Sequence, residues 1–229
     1  MENIHNFISL NTFPQNAPPG SSFANRNTRE VVCHFKRSKY GKFFLPQAIR
    51  PSFDLQIIPQ EGYRHKKYLD EITEKTFPML CAAISEERLM NVCFEMLDIL
   101  GSTANVVLET SHPGILKQKN FHYYFREEID IPVLKSILLD YEELLLGDGC
   151  MSLAIIDNRH FQEIHLDEHK LLIIYTENPE YFQQILHNHA IYALPNLSFI
   201  TDAEHVHVTR DKYFEVFQQL AYDLCMEAF

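Results

Sequence analysis

The chain has 229 residues and a formal net charge of −11, with 46% hydrophobic and 22% charged residues. These proportions are ordinary for a globular protein and exclude a largely disordered chain, and the length allows a core to be buried without disulfides. No apolar run approaches the roughly 20 residues that span a bilayer, which argues against a membrane partner. The five cysteines are scattered and odd in number, which favours reduced thiols and a cytoplasmic location.

Charge is divided unevenly along this acidic protein. Residues 1–67 contain 10 basic and 4 acidic residues, a balance of +6, whereas residues 68–229 contain 10 basic and 27 acidic residues, a balance of −17. The simplest interpretation is that the basic part packs against the acidic part, within one chain or across a homo-oligomer. A less favoured interpretation is a polyanion-binding patch, because the acidic remainder would repel a long nucleic acid. The residues of that patch would be Lys36, Arg37, Lys39 and Lys42.

The beginning of the chain differs in composition from the rest. Residues 1–28 are rich in Pro, Asn and Ser, which predicts an extended or partly disordered leader. Residues 29–229 are then expected to form a single α/β domain, with a subdivision near residues 112–130 as the alternative.

In chain order, the first predicted elements are a strand at residues 30–36 and a return strand at residues 42–45, which together make a basic hairpin. Several prolines predict irregular structure over residues 46–63. A helix is predicted over residues 66–84, kinked or divided at Pro78.

The next helix has the clearest pattern in the chain. Ser85 is a suitable N-cap, and Gly101 suits the position after the last turn. Its apolar residues recur at helical spacing and predict one buried face. They are Leu89, Val92, Cys93, Met96, Leu97 and Leu100.

The remaining elements alternate between strands and helices. Helices are predicted after Asp130, after Asn178 and from Thr209 or Asp211. The strands between residues 151 and 175 follow each other too closely for crossover helices, so they form antiparallel hairpins. The predicted fold class is therefore α/β (α+β-like), a mixed, mostly antiparallel sheet packed with about five helices. The predicted strands are 105–109, 119–127, 151–157, 162–166, 170–175, 197–200 and 204–208.

A polar segment between two of these strands carries the densest group of potential ligands. Within it, Asp157, His160 and His165 are predicted to bind a ligand. Cys150 precedes the first of the strands and is predicted to be buried, although a partly exposed thiol near a histidine is the alternative.

A metal site is the second chemical pattern. His205 and His207 alternate with valines in a strand-like segment, so the two imidazoles point to the same face and can share a metal ion. His169 and Asp167 can approach from a neighbouring hairpin, and the predicted metal ligands are therefore His205, His207, His169 and Asp167. A compact zinc signature such as H-E-x-x-H does not occur.

Two hypotheses of different classes follow. The first is an α/β protein of unknown function that works as a non-catalytic protein- or small-ligand-binding module, without a cofactor. The alternative is a metal-dependent hydrolase or metal-binding protein that uses the histidine cluster and a divalent metal. The sequence has no nucleophile elbow, P-loop or dinucleotide fingerprint, so it contains no recognisable catalytic motif and leaves enzymatic activity open.

Overall fold

Two main sheets and six helices make up the part of the chain described by the computed structural model, which is residues 7–9, 20–69, 74, 76–112 and 122–228. The elements in chain order are β1 (Phe7–Ser9), α1 (Thr28–Phe35), β2 (Lys39–Tyr40), β3 (Phe43–Phe44), β4 (Ile49–Pro51), β5 (Gly62–Leu69), β6 (Thr76–Ala83), α2 (Glu86–Leu97), β7 (Thr103–Thr110), β8 (His122–Asp130), α3 (Ile131–Asp140), α4 (Glu142–Gly147), β9 (Met151–Asp157), β10 (Gln162–Leu166), β11 (Leu171–Tyr175), α5 (Pro179–Asn188), a 3-10 turn (Ile200–Asp202), β12 (His205–Thr209), α6 (Asp211–Asp223) and β13 (Glu227–Ala228).

The larger sheet has eight strands in the order β13-β8-β7-β9-β10-β11-β6-β5, and every neighbouring pair is antiparallel. Five of the described helices have eight or more residues. The predicted fold class, a mostly antiparallel sheet packed with about five helices, is confirmed. Within the described residues, no helix combines the length and the apolarity needed to cross a bilayer.

The two faces of the large sheet are covered differently. Apolar side chains on one face, such as Leu80, Leu108 and Ile155, form the main core with buried residues of α2 to α6. The other face is covered at Cys81 and Ile173 by the segment that carries Leu197 and Phe199. Most of the apolar burial that stabilises the fold therefore lies on the helix side.

A smaller sheet places one wall of the candidate site. Its order is β1-β12-β4, with β1 parallel and β4 antiparallel to β12. The backbone of Val208 in β12 donates to Ala48 O (2.7 Å) and accepts from Gly149 N (2.8 Å). Since Gly149 lies between α4 and β9, these bonds tie the small sheet to the end of the large one. β1 lies within the predicted leader, where its backbone is extended.

The first predicted strand is wrong, because residues 30–36 belong largely to helix α1. Asn27 accepts a hydrogen bond from Glu30 N, and the Glu30 carboxylate accepts one from Asn27 N. This capping box stabilises the first turn of a helix. The helix buries Val31 and Phe35, which are four residues apart, so the alternating pattern was misleading.

The predicted helix over residues 66–84 is also wrong, because this segment forms parts of the antiparallel strands β5 and β6. Pro78 lies within β6 opposite Lys67, and pairing with two neighbouring strands stabilises an extended conformation there. Two smaller corrections apply elsewhere. The region 46–63, predicted to be irregular, contains β4 and the start of β5, and the predicted strand 197–200 is replaced by irregular chain and a 3-10 turn.

Most elements from α2 onward agree with prediction. The α2 helix buries the predicted apolar residues from Leu89 to Leu97. It ends at Leu97, however, so the buried Leu100 and the predicted C-terminal Gly101 lie beyond it, and Ser85 makes no side-chain capping bond. The three strands between residues 151 and 175 pair as successive antiparallel neighbours. The predicted strand 119–127 corresponds to β8, and residues 119–121 lie outside the described residues.

Candidate metal centre

Strand β12 presents two histidines to the same side. His205 and His207 are separated by Val206, which packs with Phe23 and Val31 in a small apolar cluster on the other side. His207 is only 1% exposed, while His205 is half-buried. The two-residue period of a strand therefore places a pair of imidazoles at the boundary between the two sheets.

The third imidazole comes from the turn between β10 and β11. Asp167 holds this turn, because its Oδ1 accepts hydrogen bonds from His169 N (3.0 Å) and Leu171 N (2.7 Å). Its Oδ2 lies 3.0 Å from His169 Nδ1. One buried carboxylate thus fixes both the backbone of the turn and the orientation of the His169 ring.

The three rings converge on one another. Ring centroids are 4.9 Å apart for His169 and His205, 4.7 Å for His169 and His207, and 5.3 Å for His205 and His207. One nitrogen from each ring can be chosen so that all three lie within 4.8 Å of one another. The three residues therefore form a group that could hold one metal ion.

Hydrogen bonds determine which nitrogen of each ring is suited to a metal. Nδ1 of His205 lies 2.8 Å from Ala203 O, and Nδ1 of His207 lies 2.8 Å from Gly149 O. Since a carbonyl or carboxylate oxygen accepts, each Nδ1 carries the ring proton in the neutral tautomer and each Nε2 carries the lone pair. Metal-binding histidines are held in this way, with the other ring nitrogen donating to a carboxylate or a backbone carbonyl.

The charges around the cluster favour a cation. Burial raises the pKa of Asp167, but the hydrogen bond and charge of His169 outweigh this and the pKa is lowered, so the carboxylate is ionised. Burial lowers the pKa of His169, yet Asp167 and Glu168 outweigh it and the pKa is raised. A metal ion would therefore compete with a proton for His169.

Lys170 connects this cluster with a second one. Its buried Nζ donates to Met151 O (3.0 Å). Burial lowers the pKa of Lys170, and the carboxylates of Asp148, Asp167 and Glu168 counteract that effect. These three carboxylates and one ammonium carry a formal charge of −2 when the histidines are neutral, which a divalent ion would balance.

The second cluster consists of His112, Asp148 and Cys150, all buried and also within 4.8 Å of one another. His112 Nε2 lies 3.1 Å from Asp148 Oδ2, and its Nδ1 lies 2.7 Å from Thr110 Oγ1. Burial and the charge of Asp148 raise the pKa of Cys150 to about 12, so its thiol is protonated. Burial of Cys150 agrees with the sequence prediction.

The second cluster has no signature in the sequence. His112 and Cys150 are 38 positions apart, and they meet because β7 and β9 pair with Thr110 opposite Met151. No local spacing signals such a meeting. Only the register of the two strands could have predicted it.

Of the three residues predicted to bind a ligand, two lie at the β9–β10 turn and one lies within β10. Asp157 Oδ2 lies 2.7 Å from His160 Nδ1, and its Oδ1 accepts from Arg159 at the β9–β10 turn. His165 lies further along β10, with Nδ1 3.9 Å from Glu163 Oε1. Ligand binding by Asp157, His160 and His165 stays a prediction.

The basic patch near α1 makes local aromatic contacts. The Arg37 guanidinium lies 4.7 Å from the centre of the Tyr40 ring, and the Lys39 ammonium lies 5.0 Å from that of Phe44. These contacts give the two cations a structural role in the small β2–β3 hairpin. Binding of a polyanion there stays a prediction.

Comparison of the chain with protein-family models, with curated proteins and with solved structures finds no match. The function must therefore be argued from the geometry of the site.

Proposed function

We propose that this protein binds a divalent metal ion through Nε2 of His169, His205 and His207. The observation that carries the proposal is the convergence of three imidazoles whose Nδ1 atoms all face oxygen acceptors. Asp167 supports the site because its carboxylate accepts a hydrogen bond from His169 Nδ1 and so orients the ring. Metal-binding histidines commonly donate the N–H of their other ring nitrogen to a carboxylate in this way.

Among redox-inactive metal ions, zinc is the one that three imidazole ligands suit best. Imidazole nitrogens also bind Cu, Ni and Fe, so the ligands alone define a class of ions. In a tetrahedral zinc site with bonds of 2.0–2.1 Å, the ligand nitrogens are about 3.3 Å apart. The ligand nitrogens of the three rings lie within 4.8 Å of one another, a limit that includes this separation.

A second candidate function, metal-dependent hydrolysis, is favoured by the number of ligands. Three protein ligands leave the fourth position of a tetrahedral ion for water, and zinc lowers the pKa of such a water to about 7. The partial exposure of His169 and His205 would let solvent reach that position. Hydrolysis of activated esters and phosphoesters by the zinc-loaded protein, lost in His205→Ala, would support this function.

The decisive experiment is a metal titration of untagged protein that has first been stripped with a chelator. We expect one equivalent of Zn²⁺ to bind and Co²⁺ to give the absorption of a low-coordinate nitrogen site. His169→Ala, His205→Ala and His207→Ala should each weaken binding by at least about 100-fold, because each removes one of three ligands. The matched control is His160→Ala, whose side chain is 63% exposed and lies at another turn.

Thermal unfolding provides a second measurement of the same binding. A metal that binds only the folded state at 100 times its Kd stabilises it by about 2.7 kcal/mol. We expect this shift for the parent protein and for His160→Ala, and none for His205→Ala. His205 is the most suitable ligand to replace, because it is half-buried and its loss should leave the fold intact, as circular dichroism would verify. Absence of zinc binding in the parent, or equal binding by all four variants, would overturn the proposal.

We also propose a cytoplasmic location and self-association. The five cysteines are free thiols, and Cys33 and Cys225 are exposed, which suits a reducing compartment. Fractionation of cells and sedimentation of the purified protein would test the two proposals.

A further inference from the structure

A groove lies on the face of the large sheet that the helices leave open. It occupies about 490 Å³, within the range of small-ligand sites. Tyr68 of β5, Phe77 of β6 and Tyr175 of β11 line it, and Phe161 closes it from the turn before β10. Alternate residues of neighbouring strands point to the same face, so the pleat of the sheet brings these rings together.

The rings of this groove are unusually accessible for their size. Phe161 is 70% exposed and Tyr68 is 45% exposed. Tyr68 and Tyr175 meet edge to face, with centroids 5.2 Å apart and an interplanar angle of 76°. Because the two rings are nearly perpendicular, they form two adjoining walls of the groove. A concave group of exposed aromatic rings is typical of a binding surface.

Two carboxylates also line the groove. Asp157 already accepts hydrogen bonds from Arg159 and His160. Glu163, whose side chain is 31% exposed, has a more distant partner. Its Oε1 lies 3.9 Å from His165 Nδ1, beyond hydrogen-bond distance. Burial raises the pKa of Glu163, and the negative charge of Glu109 raises it further. A positive charge in the groove would stabilise the ionised form of this carboxylate.

We propose that this groove binds an organic cation, a quaternary or alkylated ammonium group. Aromatic rings attract such cations through their negative faces, and the alkyl groups replace water at the ring surfaces at little cost. The Glu163 carboxylate supplies the opposite charge. A purely apolar partner fits less well, because it would cover a carboxylate without pairing it.

The two proposed sites are independent. Glu163 lies near the start of β10, whereas His169 lies in the turn that follows its end. The groove and the histidine cluster have no residue in common. Either proposal can therefore fail without affecting the other.

The test compares two ligands of nearly identical shape. Choline carries a quaternary nitrogen, and 3,3-dimethylbutan-1-ol has a neutral carbon in its place. We expect the full-length protein to bind choline about tenfold or more tightly than the alcohol, as measured by calorimetry and by chemical-shift changes. That ratio corresponds to a cation–aromatic interaction at an exposed site plus an exposed charge pair.

Variants assign the binding to particular groups. Glu163→Gln should weaken choline binding by about fivefold or more and leave binding of the alcohol unchanged, because it removes charge and keeps size. Tyr175→Leu should weaken it as well. Matched controls are Glu180→Gln, an exposed carboxylate on α5, and Tyr222→Leu, a ring that is 77% exposed on α6. Equal affinity for the two ligands, no choline binding, or an unaffected Glu163→Gln variant would each overturn the proposal.

Discussion

Two clusters of metal-ligand residue types lie side by side, and they differ in how their polar atoms are used. In the outer one, His169 and His205 are partly exposed and His207 is buried, and the Nδ1 atom of each ring faces an oxygen acceptor. The inner one, formed by His112, Asp148 and Cys150, is fully buried. Its histidine contacts Asp148 on one nitrogen and Thr110 on the other.

The two clusters share residue types but differ in burial and in what their polar atoms contact. Burial and the charge of Asp148 raise the pKa of the Cys150 thiol to about 12, so a metal ion bound there would have to displace its proton. The Lys170 ammonium also provides a positive charge near Asp148. Lys170 therefore links the charges of the two clusters, because Asp148 of the inner one and Asp167 beside the outer one both act on it.

The largest expected effect concerns the charge of Lys170. Lys170→Met should destabilise the protein by about 3–5 kcal/mol, because it removes the buried ammonium whose charge offsets those of Asp148, Asp167 and Glu168. Chemical denaturation measures the loss. The double variant Lys170→Met/Asp148→Asn should recover a large part of it, since it removes the uncompensated charge. A single variant as stable as the parent would show that Lys170 does not compensate Asp148.

The next effect concerns the connection between the clusters at Gly149. A Cβ added there would lie 2.4 Å from Ala48 O and 3.1 Å from the Cβ of His207. Gly149→Ala should therefore cost about 1–3 kcal/mol of stability and weaken zinc binding, because His207 would be displaced. Gly101→Ala is the control, since its backbone has no positive φ and an added Cβ there would meet only the flexible end of the Arg159 side chain. Unchanged zinc affinity in Gly149→Ala would indicate that His207 is positioned by β12 alone.

A smaller effect should come from Asp167 if, as we propose, its carboxylate orients His169 and does not itself bind the metal as the sequence predicted. In Asp167→Asn, the amide oxygen can keep the hydrogen bonds from the backbone of the turn. The amide N–H then faces His169 Nδ1–H, so the hydrogen bond that orients this ring is lost. Zinc affinity should fall by about 10- to 100-fold, the usual effect of losing such a partner. Calorimetric titration measures the change. A loss as complete as that of His205→Ala would mean that Asp167 is itself a ligand.

The smallest effect is a difference in thiol reactivity that leaves the fold unchanged. Cys33 and Cys225 are exposed and should react rapidly with an aromatic disulfide reagent, whereas Cys81, Cys93 and Cys150 should react only after unfolding. Mass spectrometry of partly labelled protein identifies the sites. Rapid labelling of Cys150 would contradict a closed inner cluster and reopen it as a site of thiol chemistry.

The sequence by itself determined the elements whose burial pattern is local. The α2 stripe faces the core because apolar residues at helical spacing can be buried along one side. The three strands between residues 151 and 175 are too close in sequence for any arrangement but hairpins. The period of a strand likewise places His205 and His207 on one face of β12.

Only the tertiary structure decided the rest. Residues 30–36 form a helix because the capping box and the burial of Val31 and Phe35 outweigh an alternating pattern. The segment around Pro78 is extended because two neighbouring strands pair with it. His169 reaches His205 and His207 because the small sheet is bonded to Gly149, at the end of the large one. Such contacts join residues far apart in the chain, and their geometry depends on strand order and register, which local spacing does not encode.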